Sequence, residues 1–112
     1  GLRPEDVSTV QLYDSFTITV LLLLEDLGFC KKGEGGKFVE DGALEVGGVL
    51  PLNTSGGLMS ETGSPGMPLV IEAVRQMRGT SSSQVPDART CIVSNQGGVM
   101  HTHATLIVGG AL

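Results

Sequence analysis

The sequence predicts a layered α/β fold with the element order β-α-β-α-β-β and a mostly parallel sheet that ends in an antiparallel hairpin. Apolar segments of strand length alternate with longer segments of helical spacing, which is the main evidence for this class. Glycine-rich connections separate the segments. Of the 112 residues, 40% are hydrophobic and only 4% are aromatic. This composition predicts an aliphatic core in one domain or in part of one.

A strand and a helix come first. The strand is expected at residues 7–13, where β-branched residues are frequent. Asp14 and Ser15 are the two candidates for the N-cap of a helix that runs to residue 27. Apolar side chains surround this helix almost completely, which predicts that it is buried. Gly28 is the expected stop, because glycine adopts a left-handed conformation without strain.

A glycine-rich connection leads to the second strand and the second helix. Residues 28–48 mix seven glycines with charged side chains, which predicts a long solvated loop. A strand at 49–53 then enters a turn rich in glycine and hydroxyl groups. The second helix is expected at 64–77, with Ser64 as its N-cap and Pro65 at its first position.

The spacing of this second helix predicts which side faces the sheet. Its apolar side chains form a stripe: Val70, Ile71, Val74 and Met77. Its charged and amide side chains are expected on the opposite, solvent-facing side: Glu72, Arg75 and Gln76. Gly79 follows the stripe and is expected to end the helix.

Two strands complete the domain after a serine-rich polar loop at 80–88. The third strand is expected at 89–94, and its central residues 91–93 are apolar on both faces, which is typical of a buried strand. Residues 95–98 are expected to form a tight turn. A fourth strand at 101–108 then returns antiparallel to the third.

Charge and composition exclude several classes of function. The net charge is −5 and no basic cluster exceeds Lys31-Lys32, so nucleic-acid binding is not expected. The longest apolar run, residues 20–24, is far shorter than the ~20 residues that cross a bilayer. No basic and apolar leader is seen, and a cytoplasmic protein is expected. Because the chain begins with glycine, we also expect a piece of something longer or a processed subunit.

The cysteines and histidines do not form a metal signature. Cys30 and Cys91 are expected to be reduced thiols, with Cys91 as a small buried side chain. His101 and His103 alternate on one face of the last strand without a third ligand in sight. We therefore interpret them as a hydrogen-bonded or exposed pair and expect no metal.

Polar residues and glycines follow three predicted strands at the end where ligands bind in α/β sheets. We expect them to share one rim: Tyr13 and Asp14, then Asn53, Ser55, Gly56 and Gly57, then Asn95, Gly97 and Gly98. The backbone N–H groups of such a glycine turn suit a carbonyl oxygen, an enolate or a phosphate. An ordinary β-to-α connection is the alternative, because neither nucleotide-binding glycine fingerprint is present.

Four short motifs in this order resemble the C-terminal part of the thiolase superfamily: Gly1-Leu2-x-Pro4-x-Asp6, Tyr13-Asp14-Ser15-Phe16, Asn53-x-Ser55-Gly56-Gly57 and Asn95-x-Gly97-Gly98. They are most similar to the lipid-transfer branch, which includes the sterol carrier protein thiolase and the thiolase-like steroid side-chain aldolases. The resemblance implies that residues 1–112 form a C-terminal thiolase-like domain, the incomplete half of a larger fold. It also implies a coenzyme A thioester as substrate and no covalently bound cofactor.

Departures from the thiolase pattern change the expected chemistry. Residues 62–66 lack the His-Pro pair of common thiolases, and no cysteine stands just before Gly97, so two of the three groups that ordinary thiolysis needs are missing here. Tyr13 replaces the asparagine of those enzymes. The thiolase-like aldolases resemble the chain there, which implies that Tyr13 carries a proton in retro-aldol cleavage of a β-hydroxyacyl-CoA. Gly63 lies where those aldolases place a second tyrosine, and we expect it to border the substrate.

Several roles stay open at this point. Tyr13 either carries the proton or is a strand-end phenol bonded to backbone. Asp14 either orients Tyr13 or caps the first helix. Gly97 and Gly98 either form the hairpin turn or let the substrate approach the backbone.

The expected function is part of a thiolase-like enzyme that breaks or forms carbon–carbon bonds in acyl-CoA, as a retro-aldolase or an acetyl-CoA acyltransferase. The alternative is a non-catalytic scaffold subunit that binds an acyl-CoA or a lipid and completes a partner's fold. The resemblance implies a homo-oligomer and a remaining thiolase half, in the same polypeptide or in trans. It also implies a small partner that combines a zinc ribbon with an OB-fold and delivers acyl-CoA.

Overall fold

A mixed sheet with helices on both faces forms the framework of the chain. A computed structural model describes residues 1–61, 66–98 and 100–110. The strands are β1 (Thr9–Leu12), β2 (Thr90–Gly97) and β3 (Thr102–Gly109), in the spatial order β1-β2-β3. β1 runs parallel to β2, and β3 runs antiparallel to β2. The predicted α/β fold class is confirmed.

The helices lie between β1 and β2 in the sequence. They are α1 (Thr17–Asp26), α2 (Gly35–Phe38), α3 (Leu58–Glu61) and α4 (Met67–Arg78). A 3-10 turn at Pro4–Asp6 precedes β1. Within the described part of the chain, no helix is long and apolar enough to cross a bilayer.

The sheet separates two hydrophobic clusters. One joins α1 to the sheet and contains Val7, Val10, Leu12, Leu23, Leu24, Leu50 and Ile92. The other joins α4 to the opposite face and contains Leu58, Leu69, Ala73, Cys91 and Val93. Successive side chains of β2 contribute to both clusters because they alternate across the strand. The predicted burial of residues 91–93 on both faces is confirmed.

The start and the packing of α1 differ from the prediction. The N-cap is Phe16 and no side chain caps it, so the predicted cap by Asp14 or Ser15 is wrong. Only one side of the helix meets the sheet, since Leu24 is fully buried whereas Ile18 is 56% exposed. The prediction of a helix buried all round is therefore wrong within the described chain.

The end of α1 is as predicted. Gly28 has a φ of +85°, and the N–H of Phe29 donates to the carbonyl oxygen of Leu24 at 3.0 Å. This bond satisfies one of the last carbonyls of the helix, and glycine is the residue that allows the left-handed turn.

The second predicted strand is reduced to one isolated parallel bridge between Val10 and Leu52. The N–H of Val10 donates to the carbonyl of Pro51, and the N–H of Asn53 donates back to Val10, both at 3.0 Å. Pro51 has no N–H to extend this pairing, and Asn53 leaves the extended conformation with a φ of +49°. The predicted strand at 49–53 is therefore wrong in extent, although its position beside β1 is right.

The start of α4 and the end of β2 also differ from the predicted boundaries. α4 begins at Met67 with Gly66 as N-cap, later than expected, and Gly79 ends it with a φ of +71°. Ser64 and Pro65, the predicted start, lie outside the described residues. β2 continues to Gly97, so the predicted turn at 95–98 is wrong: its first three residues pair with β3.

Candidate functional site

Tyr13 and Asn95 lie side by side at the end of the sheet. The N–H of Tyr13 donates to the carbonyl of Ser94 at 2.9 Å, which continues the pairing that joins Leu12 to Ser94. Asn95 is the next residue on β2, and its side chain bonds to Gly66 at the start of α4. Tyr13 packs against the cluster on the same face of the sheet. The two side chains are therefore neighbours on the face that α4 covers.

A cleft of about 320 Å³ opens beside this pair. Its walls come from the end of β1, the start of α4 and the β2–β3 hairpin. The lining residues are Tyr13, Gly66, Met67, Val70, Asn95, Gln96, Gly97, Thr102, His103 and Ala104. The predicted meeting of the first and third strand ends is thus seen in the structure.

Asn95 is held against Gly66. Its Nδ2 donates to the carbonyl oxygen of Gly66 at 3.2 Å. A Cβ atom on Gly66 would lie 2.6 Å from Cγ and Oδ1 of Asn95, and the φ of Gly66 is +41°. Glycine is needed here both for the backbone conformation and for room beside the amide.

Asp14 anchors the glycine turn rather than α1. Its carboxylate is buried and accepts hydrogen bonds from the backbone N–H groups of Leu58 at 2.9 Å and Met59 at 3.1 Å. These are the first N–H groups of α3, so Asp14 caps that short helix across the fold. The N–H groups of Leu58 and Met59 are therefore occupied, and they do not offer the oxygen site that the glycine turn suggested.

Gly57 and Asn53 fit closely around this anchor. A Cβ atom on Gly57 would collide with Oδ2 of Asp14, and Gly57 has a φ of +76°. The amide of Asn53 accepts from the N–H of Leu12 at 2.8 Å and donates to its carbonyl at 2.9 Å. Asn53 thus acts as a side-chain extension of the sheet, with both amide atoms bonded within the fold.

The remaining predicted site residues are spread around the same end of the molecule. Ser55 donates to Glu61 at 3.4 Å. Gly56 borders a second, larger cleft of about 450 Å³ beside α1, which Asp14 and Asn53 also line. Gly97 lines the first cleft, whereas Gly98 lies in the hairpin turn with a φ of +59°. Gly63 lies outside the described residues.

Neither cysteine is an activated thiol. Burial, with the nearby charge of Glu72, raises the pKa of Cys91 to about 12. Burial also raises the pKa of the half-buried Cys30. In the ranges that the structure covers, no three His, Cys, Asp or Glu side chains could hold a metal ion together. His101 is exposed in the turn before β3, not on that strand, and Nε2 of His103 lies 2.9 Å from the carbonyl oxygen of Met100.

A buried polar network behind the glycine turn escaped the sequence analysis. Oε1 of Glu72 accepts from Thr54 at 2.7 Å, Ser81 at 2.6 Å and Gln76 at 3.1 Å. Glu72 is 2% exposed and Gln76 1%, so their predicted placement on the wet side of α4 is wrong. Ile71, predicted to face the sheet, is 44% exposed.

The burial pattern of α4 follows from its partners. Hydropathy counts Glu72 and Gln76 as surface residues, but each finds hydrogen-bond partners on neighbouring loops. The signal that could have revealed them is the regular spacing of Leu69, Glu72, Ala73 and Gln76, which places all four on one side of a helix.

Comparisons with known proteins agree with this arrangement. Residues 1–110 match the family described as Thiolase C-terminal domain-like. The chain is 50% identical to the 17-hydroxy-3-oxo-4-pregnene-20-carboxyl-CoA lyase of Mycobacterium tuberculosis, over 88% of the chain and 26% of that protein. It is 48% identical to the steroid side-chain-cleaving aldolase of Thermomonospora curvata, over 88% of the chain and 25% of that protein.

A solved structure gives the same result. The Ltp2-ChsH2(DUF35) aldolase superimposes with a TM-score of 0.91 at 46% identity, over 97% of this chain and 28% of that one. The chain thus spans about a quarter of the length of the relatives it matches. The resemblance inferred from the four motifs is confirmed, and the chain belongs to the Thiolase C-terminal domain-like family.

Proposed function

We propose that residues 1–112 are the C-terminal domain of a thiolase-like enzyme that cleaves a β-hydroxyacyl-CoA by a retro-aldol reaction. The observation that carries this proposal is the cleft that places Tyr13 beside Asn95, where common thiolases use other residues. The 50% identity to a steroid carboxyl-CoA lyase supports the same reaction class. The substrate is a coenzyme A thioester, and no covalently bound cofactor takes part.

The reaction needs one group that can both accept and return a proton. The β-hydroxyl loses its proton, the bond between Cα and Cβ breaks, and the electron pair passes to Cα to form the thioester enolate. The β-carbon becomes a ketone, and the proton is returned at Cα. Tyr13 is the group that we assign to this transfer, because a phenol can donate or, when ionised, accept a proton.

The glycine turn supports Tyr13 through its neighbour in the chain. Asp14 is fixed by the N–H groups of Leu58 and Met59, and Asn53 is fixed on Leu12. These bonds hold both sides of Tyr13 to the turn. Asp14 is therefore a positioning residue, and Asn53, Ser55, Gly56 and Gly57 shape the turn that it anchors. Gly97 and Gly98 allow the thioester to approach the hairpin backbone.

A second candidate function is supported by other relatives. The chain is 40% identical to an acetyl-CoA acetyltransferase of Methanothermobacter thermautotrophicus and 39% identical to bovine sterol carrier protein 2. An acyltransferase, or a non-catalytic subunit that binds acyl-CoA and completes a partner's fold, would also use this domain. The acyltransferase would need residues from the rest of the protein for its chemistry.

The assembly follows from the same proposal. The remaining thiolase half comes from the same polypeptide or from another chain, and the complete protein is a homo-oligomer in the cytoplasm. We further propose a small partner that combines a zinc ribbon with an OB-fold and delivers the acyl-CoA. The solved relative, whose name joins Ltp2 to ChsH2(DUF35), is compatible with a second protein component.

A direct assay distinguishes these candidates. The full-length protein, with and without its partner, is incubated with 17-hydroxy-3-oxo-4-pregnene-20-carboxyl-CoA and, separately, with a β-ketoacyl-CoA plus free coenzyme A. Mass spectrometry follows the products. Release of a 17-ketosteroid and a short acyl-CoA from the first thioester alone supports the aldolase. Cleavage of only the β-ketoacyl-CoA supports the acyltransferase, and binding without cleavage supports the scaffold.

A further inference from the structure

The amide of Asn95 carries a hydrogen-bond acceptor without a partner. Its Nδ2 donates to Gly66, but its Oδ1 is buried and accepts no hydrogen bond from any described residue. A buried acceptor left unpaired is unfavourable, and a ligand that donates to it removes that penalty. Asn95 lines the same cleft as Tyr13, so a molecule bound there could supply the missing donor.

The amide is also fixed in orientation. The carbonyl of Gly66 can only accept, so it selects the NH₂ group of Asn95 and not its oxygen. A flipped amide would bring two carbonyl oxygens together and lose the 3.2 Å bond. Gly66 leaves no room for adjustment on that side, because even a Cβ atom would lie 2.6 Å from the amide. The free side of the amide therefore presents its oxygen, an acceptor, and not its NH₂ group, a donor.

We propose that Asn95 selects the oxidation state of the substrate, with its Oδ1 accepting a hydrogen bond from the β-hydroxyl of the acyl-CoA. This inference rests on the proposed retro-aldolase function and names the group that the site recognises. A β-ketone or an unsubstituted β-carbon has no donor, so either would leave the buried acceptor unpaired. Sites built to bond a substrate hydroxyl discriminate against analogues that lack it.

The two neighbours can share the same hydroxyl group. While Tyr13 is a neutral phenol, its O–H can donate to the hydroxyl oxygen, and the hydroxyl hydrogen then turns to Asn95. When Tyr13 is ionised, the hydroxyl turns its hydrogen toward the phenolate, as freely rotating hydroxyl groups do. Asn95 thus acts in recognition, and its effect should be seen in binding rather than only in turnover.

The test compares two thioesters that differ in one hydroxyl group. They are 17-hydroxy-3-oxo-4-pregnene-20-carboxyl-CoA and its 17-deoxy counterpart. Their dissociation constants are measured by titration calorimetry on the full-length protein with Tyr13→Phe, so that the ligand is not consumed. The same measurements follow on Tyr13→Phe with Asn95→Leu, and on Tyr13→Phe with Thr105→Val as a control. Thr105 lies on β3 opposite Ser94 and does not line the cleft.

We expect the protein with Asn95 to bind the 17-hydroxy thioester about tenfold more tightly, the value of one good hydrogen bond. With Asn95→Leu, the ratio of the two dissociation constants should fall to about one, while the 17-deoxy thioester binds at least as tightly as before. A merely damaged site would weaken both ligands. Thr105→Val should keep the preference.

Two outcomes would overturn the inference in distinguishable ways. Equal affinity for the two thioesters in the protein with Asn95 would refute the role of Asn95 and leave the proposed function standing. This comparison does not depend on whether the Asn95→Leu variant folds. Failure of both thioesters to bind would refute the proposed function and, with it, the recognition by Asn95.

Discussion

The carboxylate of Asp14 accepts a 2.9 Å hydrogen bond from the backbone N–H of Leu58, forty-four positions later in the chain. This contact joins the end of β1 to the glycine turn. Because Asp14 directly follows Tyr13, the same bond restricts where the phenol can lie. Its second oxygen accepts from Met59, so the link holds at two points.

Removing this link should loosen both the fold and the site. In the full-length protein, Asp14→Ala leaves two N–H groups of α3 unpaired, and we expect it to lower the free energy of unfolding by about 1–3 kcal/mol. Chemical denaturation measures the change. Glu40→Ala, at an exposed loop position, is the control. Equal stability of the two variants would show that the contact contributes nothing.

Tyr13→Phe tests the proposed proton transfer. The ring keeps its packing against the α4 cluster, so the melting temperature should change little. The rate of cleavage of the β-hydroxyacyl-CoA should fall by about 10²–10⁴-fold, the range typical of a lost general acid or base. Single-turnover kinetics measure this rate. A variant that cleaves as fast as the parent protein would exclude Tyr13 from the chemistry.

Gly57→Ala tests the close approach at the anchor. The new Cβ would collide with Asp14, and the φ of +76° adds strain of about 1–2 kcal/mol. Gly33→Ala is a matched control, because Gly33 has a φ of +86° with nothing within 4 Å. We expect Gly57→Ala to lose more stability in denaturant titrations than Gly33→Ala. If the losses are equal, the crowding around Asp14 is relieved without cost.

Glu72→Leu tests the polar network under the glycine turn. It removes the acceptor shared by Thr54, Ser81 and Gln76, so we expect a loss of about 1–3 kcal/mol in the free energy of unfolding. Glu72→Gln retains an acceptor oxygen and should cost less. The exposed Arg75→Gln on the same helix serves as control. A Leu variant as stable as the parent would contradict the importance of this network.

Cys91 should be inert to alkylation in the folded protein. Its pKa is raised from 9.0 to about 12 by burial, so almost no thiolate exists near neutral pH. We expect iodoacetamide to leave the Cys91 peptide unmodified until denaturant is added, while half-buried Cys30 reacts slowly. Peptide mass spectrometry reads both sites. Rapid native labelling of Cys91 would indicate an open or activated thiol.

The same shift gives a direction for the effect of alkaline pH. The folded state binds the Cys91 proton more tightly than the unfolded state does. Its contribution to stability is therefore intact below pH 9.0 and is lost as the pH rises from 9.0 toward 12. The free energy of unfolding should fall over this range, and that of the Cys91→Ala variant should fall less steeply.

Local patterns predicted the elements whose signals are local. Gly28 and Gly79 end their helices as expected, and the apolar residues 91–93 of β2 are buried on both faces as expected. The polar ends of β1 and β2 were also predicted to meet, since adjacent parallel strands share an edge. Tyr13 and Asn95 line one cleft for this reason.

Long-range partners caused the errors. Asp14 resembles an N-cap of the following helix, yet it bonds to α3 because the folded chain brings the glycine turn beside it. Glu72 resembles a surface residue, yet loops from two other segments surround it. No window of neighbouring residues contains this information. The apolar outer side of α1 likewise predicted burial, yet Ile18 on that side is 56% exposed.

Asn53 has a broader consequence for how this domain tolerates change. Its carboxamide bonds to both backbone groups of Leu12 and so replaces a length of strand pairing with one side chain. The alignment between β1 and the segment behind it is thereby encoded at a single position. Insertions or deletions in the glycine-rich connection upstream can accumulate without shifting the end of β1, whereas a change at Asn53 would displace it.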